Sequence, residues 1–249
     1  MSGTAEPDVR VFADPLAVSA AAAAWVAAKL GDAVRARGRA SFVVSGGSTP
    51  RILYQLLGTQ FKELVPWPAV HVFWGDERYV PHDDSRSNYR LVKETLLDRI
   101  TLPIGQVHVM PTHLAEPSAA ARDYESTLTR FFSGGPPVFD VVLLGIGEDG
   151  HTASVFPGSP AMTSTQAVMA VTAPAEPSTR LTLTLPVIAG ARRIGVLVVG
   201  QGKARALAAT VAGDADTPAA ALARTAQSAI WWVDHDAAGM LRQGVPRER

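Results

Sequence analysis

The chain has 249 residues, 47% of them hydrophobic and 18% charged, which suits one substantial core and a single α/β domain over residues 1–249 better than two small domains. Lysine plus arginine and aspartate plus glutamate stand at 23 each, so no global field draws the chain to nucleic acid or to a membrane, and an anionic ligand needs a local cluster of cations. The absence of cysteine removes disulfides, thiolate nucleophiles and sulfur-rich metal sites, and is compatible with a reducing compartment.

The first element is an alanine-rich run, Ala17–Ala28. It lacks a basic flank in front and is shorter than the roughly 20 residues a membrane helix needs, so it reads as an ordinary helix. Asp14 offers an N-cap, Pro15 suits the first turn, and Gly31 or Gly38 can end it. Beyond it, short apolar runs rich in β-branched residues alternate with longer helical stretches. Strands are expected at Ser41–Val44, Val70–Trp74, Val107–Met110, Phe139–Leu144, Ala167–Val171, Arg193–Val199 and Ser228–Val233. Helices are expected at Pro50–Leu57, Asn88–Arg99, Ser118–Phe132, Gly202–Val211 and Pro218–Thr225. This alternation predicts a doubly wound, mostly parallel α/β sheet with helices on both faces. In such sheets ligands bind outside the carboxyl ends of the strands, so the loops after strands carry the chemistry.

Four such loops are informative. Ser45-Gly46-Gly47-Ser48-Thr49-Pro50 joins a strand to a helix; its glycines let a ligand approach the backbone, Thr49 can cap the helix, and free N–H groups at a helix start suit a phosphate. It lacks the lysine of a nucleotide P-loop, and the same residues also suit a tight turn without a ligand. Trp74-Gly75-Asp76-Glu77-Arg78-Tyr79-Val80-Pro81 is either a solvated turn or an arginine oriented by Asp76 or Glu77 to fork onto a phosphate. Ser87-Asn88 beyond it reads as another helix cap.

The third loop, from Leu144 to Pro157, has Gly145, Gly147 and Gly150 at dinucleotide-binding spacing. Glu148 and Asp149 would face a pyrophosphate, however, and no acidic residue lies about 20 positions on to hold a ribose. The glycines instead expose His151 at the mouth of a cleft, with Asp149 near enough to orient its imidazole. The fourth element combines Arg180, in the alternating run Thr179–Thr184, with Lys203 after Gly200 and Gly202; either cation is a surface charge or part of an anion site. His71, His82, His108, His113 and His235 show no metal-ligand spacing, and Trp231-Trp232 reads as core.

Taken together, the first three loops, with Phe156-Pro157-Gly158-Ser159, resemble the 6-phosphogluconolactonase family, within the glucosamine/galactosamine-6-phosphate isomerase superfamily. The resemblance runs from about Phe12 to Asp234. Glucosamine-6-phosphate deaminases share the first and third loops but carry Phe-Asn-Glu-Pro after the histidine and Asp-Glu-Tyr in the second loop. Here those stretches read Ala153-Ser154-Val155-Phe156-Pro157 and Asp76-Glu77-Arg78, the lactonase form. The resemblance implies a cytoplasmic enzyme that hydrolyses 6-phospho-D-glucono-1,5-lactone, the second step of the oxidative pentose phosphate pathway, without metal or cofactor. It implies His151 and Asp149 as the catalytic pair, and Gly46, Gly47, Ser48, Asp76, Arg78, Arg180 and Lys203 as the substrate and phosphate site. A small sugar phosphate is the expected partner, with no nucleic acid and no membrane.

Overall fold

A computed structural model describes residues 7–213, 215–226 and 228–241. In chain order the elements are β1 (Asp8–Phe12), α1 (Pro15–Arg37), β2 (Ala40–Val44), α2 (Arg51–Leu57), β3 (Val70–Trp74), β4 (Asp76–Arg78), α3 (Asn88–Thr95), β5 (Val107–His108) and α4 (Pro117–Phe131). They continue as β6 (Val141–Gly145), β7 (Val168–Thr172), β8 (Thr179–Leu183), α5 (Leu185–Ala189), β9 (Ile194–Val198), α6 (Ala204–Ala212), α7 (Pro218–Thr225) and β10 (Ala229–Asp234).

Seven strands form a parallel sheet in the order β1-β10-β9-β6-β2-β3-β5. Every residue of β2 and β9 is buried, because helices cover both faces; this is why these strands are continuous apolar runs without alternation. From β2 the chain moves outward to β3 and β5, then returns to the other side of β2 as β6 before continuing to β9 and β10. The direction of winding therefore reverses between β2 and β6, which opens a crevice at their carboxyl ends.

α1 begins where expected: Asp14 accepts a hydrogen bond from the Ala17 N–H at 2.8 Å, and Pro15 occupies its first turn. It runs through Gly31 and ends at Gly38, whose left-handed backbone (φ 74°) lets its N–H reach the Val34 carbonyl. At 23 residues it is longer than the alanine run implied, and by length and composition alone it could span a bilayer. Instead Val18, Ala22, Val26 and Leu30 pack it against β2 and β10.

Three strands expected in or absent from the main sheet behave differently. β4, read from sequence as a loop, pairs antiparallel with β8, and β8 pairs antiparallel with β7. This small second sheet packs on α4. The strand expected at Ala167–Val171 thus exists as β7 but lies outside the parallel sheet. β1 adds an unforeseen edge strand beside β10. α3 stops at Thr95, and the rest of its expected length is a 3₁₀ turn at Leu97–Arg99.

Near the β5 edge, His71 Nδ1 lies 3.0 Å from His108 Nε2, and His108 stacks on Phe73 with ring centroids 4.3 Å apart. Burial, reinforced by the charges of His71 and Arg130, pushes His108 down to about 4 from the usual 6.5. The unfolded chain therefore binds more protons than the native one between these values, so stability is fully present above pH ~6.5 and declines as pH falls toward 4. Thermal melts of wild type should show this acid decline, and His108→Phe should flatten it. Parallel curves would show that the pair does not control acid stability.

Candidate active site

The loop after β2 is held by Tyr54 of α2, whose buried hydroxyl accepts from the Ser45 N–H and donates to the Ser45 carbonyl, both at 2.8 Å. Gly47 adopts φ 87°, and a Cβ at Gly46 would stand 1.7 Å from the Asn88 amide oxygen, so glycine is required at both positions for different reasons. Among the described residues, the N–H groups of Gly46, Gly47 and Ser48 have no partner within the chain. The helix start differs from expectation. Pro50 occupies the N-cap position with no side-chain cap, and Thr49 does not cap α2.

β4 sorts its three charged residues by the two-residue period of a strand. Asp76 and Arg78 line the cleft, whereas Glu77 turns to the start of α3. Glu77 accepts from the N–H groups of Arg78, Asn88 and Tyr89 at 2.7 Å and from the Ser87 hydroxyl at 3.0 Å. Burial pushes its carboxyl up to about 7 against these hydrogen bonds. Neither Asp76 nor Glu77 orients the Arg78 guanidinium, as the sequence suggested. Asp76 instead accepts from Ser154 Oγ at 2.6 Å and from Asn88 Nδ2 at 3.3 Å, while Arg78 Nη1 donates to the Arg86 carbonyl.

The loop after β6 closes on itself through Gly147 N–H to the His151 carbonyl (2.8 Å) and Gly150 N–H to the Gly147 carbonyl (3.1 Å). His151 Nδ1 lies 2.6 Å from Asp149 Oδ1, and the pair is about one-third to two-fifths exposed (34% and 43%). A Cβ at Gly147 would stand 2.0 Å from His151 Nδ1 and 2.5 Å from Asp149 Oδ1; the glycine makes room for the pair. Burial alone would raise the Asp149 carboxyl, but hydrogen bonds from the His151 backbone and ring outweigh it and hold Asp149 below its ordinary value. An ionised Asp149 accepting from Nδ1–H fixes the tautomer that leaves Nε2 as an acceptor. The ring packs against Phe156 at 4.9 Å.

Opposite this pair, the strand register sets Arg180 of β8 directly across from Arg78 of β4. Burial, followed by the charge of Arg78, lowers the Arg180 pKa. Among the described residues, Arg180 Nε and Arg78 Nε are buried without hydrogen-bond partners. Lys203 ends a 3₁₀ turn that follows β9, and Gly200 at the head of that turn has φ 91°. The buried carboxylate of Asp234 fixes this turn by accepting the Gly200 N–H at 3.0 Å and the Ala237 N–H at 2.8 Å.

These five segments surround one cleft with two connected lobes. The inner lobe, about 230 Å³, is lined by the Ser45–Pro50 loop with Asp76, Arg78, Asn88, His151 and Lys203. The outer, about 590 Å³, adds Glu148, Asp149, Phe156, Ala173–Ala175 and Arg180. Asp76, Arg78, His151 and Lys203 line both. All nine residues singled out from sequence therefore face a common space. Sequence reasoning missed Asn88, seen only as a helix cap, and Asp234, whose hydrogen-bond partner Gly200 is 34 residues away. Among the described residues no group of three or more His, Cys, Asp or Glu side chains is arranged to hold a metal ion.

Residues 13–232 match the family model described as glucosamine-6-phosphate isomerases/6-phosphogluconolactonase. The chain is 39% identical to a 6-phosphogluconolactonase of Synechocystis over 95% of its own length and 99% of that protein's. It is 41% identical to the 6-phosphogluconolactonase of Mycobacterium tuberculosis, covering 94% and 98% of the two chains. A crystal structure of a 6-phosphogluconolactonase from Shewanella baltica superposes with a TM-score of 0.81 at 32% identity, over 93% of this chain and 99% of that one.

Proposed function

This chain belongs to the glucosamine-6-phosphate isomerase/6-phosphogluconolactonase family, and from that premise we propose that its cleft hydrolyses 6-phospho-D-glucono-1,5-lactone to 6-phospho-D-gluconate through general-base catalysis by His151. The enzyme is a hydrolase of the pentose phosphate pathway acting on a lactone ester. The observation that carries the catalytic reading is the His151–Asp149 pair at 2.6 Å, opening onto both lobes.

A lactone carbonyl is already electrophilic, so a positioned water and a base near neutral pKa suffice. His151 Nε2 takes a proton from water as the water oxygen attacks C1. It then returns the proton to the ring oxygen as the C1–O bond breaks. Asp149 holds Nδ1–H throughout and stabilises the transient imidazolium. The unpaired N–H groups of Gly46 and Gly47 suit the developing oxyanion, whereas the Gly150 N–H is already bonded to Gly147. Arg78, Arg180 and Lys203 hold the phosphate, with Ser48 and Asp76 on the sugar side of the inner lobe. Small-molecule turnover of this kind suits the cytoplasm, where sugar phosphates are made and consumed.

The competing chemistry within the family is ring opening and deamination of an amino-sugar phosphate. The positions after His151 that would supply an assisting glutamate are occupied by Ala153, Ser154, Val155 and Phe156. Supplied separately with fresh lactone and with glucosamine 6-phosphate, the protein should consume the first and release no ammonia from the second. Ammonia release without lactone consumption would reverse the assignment.

Water is activated here by an imidazole, and the described residues offer no ligand cluster. Exhaustive chelation should therefore leave the rate unchanged. A loss restored by one divalent ion would contradict this mechanism.

A further inference from the structure

Hydrolysis changes the charge of the ligand at its reacting end. When the water oxygen bonds to C1 and the C1–ring oxygen bond breaks, the ring oxygen keeps one proton and the new acid loses one to solvent. Substrate and product carry the same phosphate, but only the product bears a carboxylate at C1.

The outer lobe contains an acidic side chain that none of these steps uses. Glu148 lines it beside Asp149, His151, Arg180 and Lys203. Its carboxylate lies over Gly202, where an added Cβ would stand 2.7 Å from Oε1; the residue before Lys203 thus has no side chain to displace it. The other two carboxylates of the cleft are engaged, Asp149 with His151 and Asp76 with Ser154 and Asn88. Glu148, by contrast, makes no ion pair within 4.0 Å and accepts no hydrogen bond among the described residues, even with three cations, Arg78, Arg180 and Lys203, lining the same lobe. Among the described residues it is the carboxylate of the cleft that no hydrogen bond or ion pair engages.

We propose that Glu148 promotes product release by repelling the C1 carboxylate as it forms, while leaving the uncharged C1 of the lactone unaffected. This rests on the lactonase reading above. Repulsion of the phosphate would be a different effect, because it would weaken substrate and product equally. The comparison of the two ligands therefore isolates the charge at C1.

The test is product inhibition by 6-phosphogluconate, measured in initial rates on fresh lactone with spontaneous hydrolysis subtracted, for wild type, Glu148→Gln and Glu148→Asp. Glu148→Gln should lower the ratio of product Ki to lactone KM by about 3- to 10-fold at low ionic strength. The difference should shrink in 1 M salt, where the screening length falls to about 3 Å. Glu148→Asp keeps the charge and should stay near wild type. Ki and KM moving together, or an unchanged Ki in Glu148→Gln, would overturn the proposal while the lactonase reading stands. A wild type inert toward the lactone would instead overturn the lactonase reading, and this inference with it.

Discussion

His151→Ala lowers kcat on the lactone by roughly 10²- to 10⁴-fold, the range expected for loss of a general base, with little change in KM. The fold survives the change because the ring is 34% exposed and sits outside the core. Asp149→Asn is expected to fall between wild type and His151→Ala. It keeps an oxygen that can accept Nδ1–H, but loses the negative charge that stabilises the imidazolium. Steady-state rates corrected for uncatalysed hydrolysis, with melting curves alongside, check both variants. Near-wild-type turnover in His151→Ala would remove the histidine from the mechanism.

The second large effect concerns the cations. Each charge-assisted hydrogen bond to the phosphate is worth about 1.5–3 kcal/mol, so Arg180→Ala or Lys203→Ala should weaken product binding by about 10- to 150-fold. The larger share should appear in KM. Some loss of kcat is also expected, because remote binding energy helps orient C1 beneath His151. Arg78 and Arg180 face each other in register, and the charge of Arg78 already disfavours the charged form of Arg180. Removing one relieves repulsion on the other and partly offsets its own cost, so Arg78→Ala with Arg180→Ala should cost more than the sum of the single changes. Titration with 6-phosphogluconate measures each term. A variant that binds product as tightly as wild type loses its place in the phosphate site.

The parallel sheet was legible because burial on both faces writes it as apolar runs, and the His151–Asp149 pair because its contact spans only two residues in a glycine-rich loop. β4 was not legible. Its charges look like a solvated turn until the partner strand β8, about a hundred residues later, sends Asp76 and Arg78 to the cleft and Glu77 to α3. The expectation that Asp76 or Glu77 would steady Arg78 failed for two reasons: Glu77, the neighbour along the strand, points to the opposite face, and Asp76, on the same face, is taken up by Ser154 and Asn88. Asp234 was invisible because it accepts only backbone N–H groups, from Gly200 in a distant turn and from nearby Ala237, and backbone acceptance leaves no mark on the partner's residue types. Edge strand β1 was missed because Asp8 and Arg10 break its apolar run.

Freshly generated 6-phosphogluconolactone, followed by oxidation of the 6-phosphogluconate it yields, tests the central claim most directly. Wild type should raise the rate above the uncatalysed blank in proportion to enzyme concentration, and His151→Gln at equal concentration should return it close to the blank. A wild-type rate equal to the blank, or a His151→Gln rate equal to wild type, would contradict lactone hydrolysis by His151.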